Sequence, residues 1–478
     1  MHDHPLSRIR TSCLHGFHTN RVPKGVQHGL TRLEGWGKRE TMGKKHIFTL
    51  FCSLFQLAAF CSCVALLTAC DMNSGTKDIS KHTPGVTHDE ILIGSSLVLS
   101  GHAEYLGIQT LRGALSYINY INEQGGVFGR KIKVSVLDDA YDPSRCLVNT
   151  QKLIVDKQVF ALFCYVGTPT TVKILPLVQQ AEIPLVGMFT GANALRTPFN
   201  KYVINVRPSY YQETAAAVEH LVGELGLKRI AVFYQYDTYG FDGLTGTELA
   251  LKKYNLAPVA RGSYIRGTTN IQDGLNKIIR SNAQAVVMIG TYKPCARFIL
   301  EARKKNFDPI FYNVSFVGGD ELARLLHNDN SAQVILSQVA PSPTLSPHDQ
   351  GTDGDPGYVE LLKRYFPGDS PNSIGLEGFF NAKVLVSGLR KAGYHLTRKK
   401  FIHAIESIHS LPLTPKLKAS FSDSDHQGLD TVYFTRLVNG TFVTFSDWNA
   451  VNTSSLLPIE TPASPEKNRL KTENTDAH

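Results

Sequence analysis

From Ile91 onward the chain alternates between short apolar runs and amphipathic stretches. Glu90-Ile-Leu-Ile-Gly predicts a strand, Leu106 to Gln124 a helix closed by Gly125-Gly126, and Lys131 to Leu137 a strictly alternating strand that runs into Asp138-Asp139. Ser144 to Asp156 predicts a helix, and Phe160-Ala-Leu-Phe-Cys-Tyr a buried strand. Ile183-Pro-Leu-Val-Gly-Met continues the series, which resumes at Arg229-Ile-Ala-Val-Phe-Tyr, Ala285-Val-Val-Met-Ile-Gly, Ile310-Phe-Tyr-Asn and Gln333-Val-Ile-Leu-Ser. This rhythm predicts an α/β fold of parallel sheets covered by helices on both faces. One sheet of so many strands would be unusually wide, so two Rossmann-like lobes of five or six strands are expected. Gly440-Thr-Phe-Val-Thr-Phe predicts a short edge hairpin strand, and Ser346 to Gly357 a surface loop. The Gly125-Gly126-x-x-Gly129 cluster follows a helix and precedes a strand, which reverses the order of a phosphate-binding loop and predicts a helix stop and tight turn.

The first 69 residues do not fit this rhythm. Residues 1–41 hold five histidines and no apolar period, and Met42 is the expected true start. Lys44, Lys45 and His46 then precede an apolar stretch from Ile47 to Leu67, the pattern of an export signal over 42–69. Leu67-Thr68-Ala69-Cys70 resembles the bacterial lipobox, which implies a lipid on Cys70; an uncleaved anchor is the alternative, since about twenty apolar residues suffice to span a bilayer. Residues 70–87 are polar and predict a tether, and 449–478 a disordered tail. The leader also reassigns the charge. The chain carries a formal +9, of which residues 1–69 carry +6, so the folded body is nearly neutral and nucleic acid is not an expected partner.

Of eight cysteines, only Cys146, Cys164 and Cys295 stay in the exported body; their spacing matches no zinc pattern, and buried thiols are the expectation, with a Cys146–Cys164 bridge left open. Asp349, Asp353 and Asp355 do not fit a calcium loop, and His403 and His409 fall on different helix faces. There is no Gly-x-Ser-x-Gly elbow, His-Glu-x-x-His, Walker loop or Gly-x-Gly-x-x-Gly. No catalytic residue, metal or cofactor is expected, and an enzyme is the least favoured class.

Ile-Gly-Ser-Ser-Leu-Val-Leu-Ser-Gly from Ile93, Ile-Asn-Glu-Gln-Gly-Gly-Val-Phe-Gly-Arg-Lys-Ile from Ile121 and Leu-Asp-Asp-Ala-Tyr-Asp-Pro from Leu137 resemble the branched-chain amino-acid type of ABC-transporter solute-binding protein. Tyr165-Val-Gly-Thr-Pro-Thr-Thr, Met188-Phe-Thr-Gly-Ala, Asn205-Val-Arg-Pro-Ser-Tyr, Tyr292-Lys-Pro-Cys and Asn313-Val-Ser-Phe-Val-Gly extend the resemblance over roughly 88–445. It implies a type I periplasmic-binding fold, with 88–206 plus 343–426 as lobe 1, 207–340 plus 430–448 as lobe 2, and three hinge crossovers near Asn205–Pro208, Gln338–Ser342 and Gln427–Asp430.

Ligands of parallel sheets sit at the carboxyl ends of strands, where loops and helix N-termini present free N–H groups. The resemblance implies a pocket of Ser100, Gly101, Leu106, Thr168, Thr170, Phe189, Thr190 and Gly191 from lobe 1, with Tyr239, Tyr292 and Ser315 from lobe 2. Amino-acid binders of the family place an acid on a lobe-2 loop to pair the ligand ammonium. The best-matching position here is Ser315, so either Glu377 or Asp237 supplies that charge or the ligand is an amide, carboxylate or nucleobase-like compound. Tyr141 and Gly167 stand where the family has a disulfide. The implied function is a lipid-anchored extracytoplasmic receptor that closes on a small polar ligand and delivers it to an ABC permease. The alternative is a ligand sensor presenting occupancy to a membrane kinase or cyclase.

Overall fold

The computed structural model describes residues 83–326, 333–343 and 356–451; the leader, Cys70, the tether to residue 82, the 346–357 loop as far as residue 355 and the tail beyond residue 451 lie outside them. Two parallel-rich sheets organise the described chain. The first has the order β2-β1-β3-β4-β5, with β1 Glu90–Leu97, β2 Lys131–Asp138, β3 Ala161–Phe163, β4 Leu185–Val186 and β5 Val203–Ile204, all parallel. Its strict alternator, β2, is the edge strand, where Ile132 is buried and Lys131 and Lys133 face solvent. That half-exposed position is what a period of two encodes.

The second sheet has the order β14-β13-β10-β9-β8-β6-β7. Its parallel members are β6 Ile230–Gln235, β7 Arg261–Tyr264, β8 Ala285–Ile289, β9 Ile310–Asn313 and β10 Val334–Gln338. Every residue of β6 and β8 is buried, as helices on both faces require. This sheet has seven strands rather than five or six, because β13 Tyr433–Val438 and β14 Thr441–Thr444 fold back as an antiparallel hairpin and pair with β10. The described residues extend to Val451. A turn over Trp448–Ala450 seats the buried indole on His220, ring centroids 4.5 Å apart, with Phe434 and Phe445 beside it.

Helix α1 (Glu104–Glu123) is followed by α2 (Pro143–Gln151), which continues as a wider turn to Asp156, and by α3 (Thr168–Gln180). The second sheet carries α4 (Tyr210–Val218), α5 (Thr238–Lys252), α6 (Gln272–Arg280), α7 (Tyr292–Lys304) and α8 (Gly319–Leu325). The chain then returns to the first sheet for α9 (Tyr358–Tyr365), α10 (Ser373–Ala392) and α11 (Arg398–Glu406), followed by a small ladder of β11 (Leu411–Pro412) with β12 (Lys418–Ala419). Helix α10 is buried along nearly its whole length against α1. Their crossing is close because two glycines make it: a β-carbon at Gly113 would fall 1.8 Å from the Gly375 carbonyl oxygen, and one at Gly378 2.0 Å from that of Thr110. The 125–129 turn bears out its reading, with Gly125, Gly126 and Gly129 all at positive φ.

Three segments carry the chain between sheets: 205–209 after β5, 339–357 after β10 and 420–432 before β13. The first and third run side by side, with Asn205 N–H donating to His426 and Gly428 N–H to Asn205. Arg196 braces them, its guanidinium donating to Gln427 Oε1 and to the Ala192 and Arg207 carbonyls at 2.6, 2.8 and 2.7 Å. Cys146, Cys164 and Cys295 are buried and free, so no bridge joins the first two. Among the described residues no helix is long and apolar enough to cross a membrane.

Candidate ligand cleft

The carboxyl ends of the two sheets face each other. Phe316, in the turn Ser315–Val317 after β9, is fully buried, with ring centroids 5.5 Å from Phe189, 6.0 Å from Tyr141, 6.5 Å from Tyr210 and 4.8 Å from Tyr239. Tyr141 and Phe189 belong to loops of the first sheet, Tyr210 and Tyr239 to helices of the second. Further contacts hold the sheets together. Asn193 N–H donates to both oxygens of Asp242 on α5 at 3.1 and 3.2 Å, and the His102 ring lies against Gly267, 3.7 Å from where a β-carbon would stand. Leu106, Tyr292 and Ile374 converge on Gly318.

Of the residues predicted for the site, Leu106, Thr168, Phe189, Thr190, Gly191, Tyr239, Tyr292, Ser315 and Glu377 gather around this junction. The Thr168 and Thr190 hydroxyls bond each other at 2.7 Å, fully buried at the start of α3. Gly191 has no room for a side chain: a β-carbon would lie 2.7 Å from the Tyr210 nitrogen, which donates to the Gly191 carbonyl. The Tyr239 hydroxyl donates to the Gly290 carbonyl at 3.0 Å, so this tyrosine is anchored by its tip and offers its ring. Three others sit differently. Thr170 spends its hydroxyl on the Val166 and Gly167 carbonyls of its own turn, Ser100 donates to Asp138 on the surface, and Gly101 faces open space.

Beneath the rings lies a charge cluster that reading the sequence did not assemble. Arg207, 3% exposed, is 3.0 Å from Glu213 and 3.2 Å from Glu377, and its guanidinium stacks over Phe189 and Tyr210 at 5.1 and 5.7 Å. Glu213, with no exposure, accepts from Ser315 N–H at 2.8 Å, the Ser315 hydroxyl at 2.9 Å and the Ser337 hydroxyl at 2.5 Å; Arg207 also donates to the Ser315 hydroxyl. Ser315 thus serves Glu213. Burial pushes Glu377 up to about 7, Arg207 opposing and the second carboxylate adding to the rise. Burial works to lower Arg207, but the two glutamates overcome it and hold its pKa above the usual value. The available signal was compositional: Glu213 and Glu377 are lone acids in otherwise uncharged runs, where an acid needs a buried partner.

At the other end of the junction, Asp237 pairs Arg266 at 3.2 Å and accepts from Gln235 at 2.8 Å and Tyr239 N–H at 3.0 Å; burial still raises it, more than these partners lower it. Burial lowers the His102 imidazole, and Arg266 and Lys293 lower it further, which keeps it neutral. Several buried polar atoms have no hydrogen-bond partner in this arrangement: Arg207 Nε and Nη1, the Tyr210 hydroxyl, Thr291 Oγ1 and His102 Nε2. Unpaired buried polar atoms are costly and rare. Among the described residues no group of three or more His, Cys, Asp or Glu could hold a metal ion.

Two α/β bodies thus meet at their strand ends around Phe316, and comparison with known proteins shows what the chain is similar to. The chain is 25% identical over 317 residues to the Leu/Ile/Val-binding protein homolog 7 of Brucella abortus, covering 63% of this chain and 77% of that one. It is 23% identical over 304 residues to an amino acid binding protein of Pseudomonas aeruginosa, covering 64% and 79%. Among solved structures, a possible leucine/isoleucine/valine-binding protein from Rhodopirellula baltica superimposes with a TM-score of 0.69 at 31% identity, covering 76% of this chain and 98% of that one. A substrate-binding periplasmic protein from Ralstonia solanacearum gives 0.69 at 26%, covering 74% and 100%. The family model described as periplasmic binding protein matches residues 90–441, so the chain belongs to the periplasmic binding protein family.

Proposed function

We propose that this chain is an exported solute receptor, lipid-anchored at Cys70, that closes over a small polar ligand and delivers it to an ABC permease. The observation that carries the reading is the junction at Phe316, where loops from both sheets meet. Closure needs no covalent chemistry, because a ligand that contacts both lobes binds the closed form better and shifts the population toward it. In this reading 88–206 with 343–426 and 207–340 with 430–448 move as the two lobes, and the pair Asn205–Gln427 lies on the axis. The family carries its members to the extracytoplasmic side, and the Leu67-Thr-Ala-Cys70 ending supplies the tether.

Native mass spectrometry of the protein purified from its host tests the receptor reading: one small molecule should be released on denaturation. Uptake of that molecule should fall in cells lacking the chain. A protein that carries nothing, and uptake that is unchanged, would refute the reading. The anchor is tested separately, by labelled fatty acid that should be incorporated by the wild type and not by Cys70→Ser.

A further inference from the structure

The junction between the lobes is filled by the chain itself. Phe316 stands in a three-residue turn of the second lobe, and its fully buried ring rests on Phe189 and Tyr141 of the first, centroids 5.5 and 6.0 Å away. The turn that presents the ring is fixed from behind, since Glu213 accepts the Ser315 N–H at 2.8 Å and the Ser315 hydroxyl at 2.9 Å. One buried apolar cluster therefore runs from Leu106, Val166 and Phe189 through Phe316 to Tyr239 and Val314. Polar groups around the ring are turned to one another. Thr168 bonds Thr190 at 2.7 Å, the Gly191 carbonyl accepts from Tyr210 N–H at 2.8 Å, and the Tyr239 hydroxyl donates to the Gly290 carbonyl at 3.0 Å. Of the rings that cage Phe316, Tyr141 and Phe189 belong to one lobe, Tyr210 and Tyr239 to the other. Parting the lobes removes half of the cage and returns an aromatic face to water, which is unfavourable in proportion to its area.

We propose that Phe316 is an autoinhibitory plug: the lobes close on this ring by themselves, and a solute must displace it from Tyr141 and Phe189 before it can bridge them. This rests on the receptor reading above for the motion of the lobes and adds a regulator to it. A solute that closes the lobes gains only the difference between its own contacts and those of the ring it replaces. Affinity is then set in part by a side chain that is itself expelled, and shortening that side chain frees the cleft. Phe298 supplies the contrast. It is buried as fully, but its ring partners Phe233 and Phe311 lie in its own lobe, so it supports folding and not closure.

The test uses the full exported chain carrying Cys70→Ser, dialysed until native mass spectrometry finds no bound solute, with spin labels on Val155→Cys and Val259→Cys. Both positions are exposed and precede β3 and β7, at the sheet ends away from the junction, and the three native thiols are buried. With Phe316 in place, pulsed electron paramagnetic resonance should give a single short distance between the lobes. Phe316→Ala should add a longer one, the closed-to-open ratio falling about tenfold or more, as loss of a buried phenylalanine implies. Benzene, which enters dry apolar cavities, should restore the short distance in Phe316→Ala and leave the wild type unmoved. Phe316→Leu, which keeps more of the packing, should open to a lesser degree, and Phe298→Leu should lower the melting temperature while keeping the single short distance. A long distance in the solute-free wild type, a single short distance in both Phe316 variants, or equal opening by Phe298→Leu would each overturn the plug. The receptor reading falls on different grounds, namely that no small molecule co-purifies from the host.

Discussion

Tyr141 and Gly167 occupy each other's space: a β-carbon at Gly167 would sit 2.1 Å from Tyr141 Cε2, and Gly167 has φ +95°, where only glycine is at ease. The resemblance to amino-acid binders implied a disulfide between these two positions. Here a fully buried ring laid over a bare backbone joins the same loops and forms one wall of the cleft. Gly167→Ala should therefore destabilise twice, through left-handed strain of about 1–2 kcal/mol and overpacking of about 1–3 kcal/mol. On a Tyr141→Ala background only the strain should remain. A double-mutant cycle by urea unfolding measures the difference, and additive effects would show that ring and glycine do not couple.

The Arg207 cluster makes a second, asymmetric prediction. Glu213 is sealed and takes three donors besides Arg207, so Glu213→Ala should cost about 3–5 kcal/mol, the range for stripping one partner from a buried pair. Glu377 has only the guanidinium, and its folded pKa of about 7 lies above the ordinary 4.5. A carboxylate raised in this way holds its proton more tightly in the folded state, so its contribution to stability falls as pH rises from about 4.5 to 7. Glu377→Gln should flatten that part of the pH–stability curve and lose little stability at pH 8. Denaturant midpoints at pH 5 and pH 8 check both variants, and equal losses for the two would refute the asymmetry.

The strands of the second sheet were legible because burial on both faces writes each as an unbroken apolar run, as in Ala285-Val-Val-Met-Ile. The hairpin was legible as β14, but not its pairing with β10, because register is a long-range choice. Helix α10 left no amphipathic signal, since Ile374 to Leu389 is buried on almost every side and its close contact with α1 depends on glycines far apart in sequence. The same limit governed the cleft. Thr168, Thr190 and Gly191 lie on strand-end loops, which announce themselves locally. Arg207 meets Ser315 and Glu377 only through the folded topology, and Phe316 reads as one more apolar residue until four other rings surround it.

Cys146, Cys164 and Cys295 are each buried, and burial raises all three thiols well above their ordinary range. The thiolate is the reactive form, so a chain beginning at Asp71 should resist a disulfide-exchange reagent while folded and react fully once denatured. The readout is absorbance of the released chromophore with and without guanidinium. A rapidly labelled thiol in the folded protein would contradict the burial, and the responsible cysteine could be found by mass.

In the proposed closure, Asp242 gives the motion a sign with pH. Its carboxylate accepts the Asn193 N–H across the cleft; burial raises it to about 6, against the smaller lowering effects of that bond and of Arg196. Tyr211 also faces it, and its pKa is raised by burial and then by Asp242, so it stays neutral in this range. When the lobes part, Asp242 regains water and returns toward 3.8, so the closed form binds the proton more tightly than the open one. Linkage then requires closure to become less favourable as pH rises from about 4 to 6 and to level off above that. Asp242→Asn keeps an oxygen for the Asn193 N–H and removes the buried charge. It should leave ligand affinity at pH 7 equal to or above that of the wild type, and it should reduce the slope between about pH 4 and pH 6. Isothermal titration with the co-purifying ligand across that range measures both, and a variant that binds more weakly at pH 7 while keeping the slope would show that the charge itself holds the lobes together.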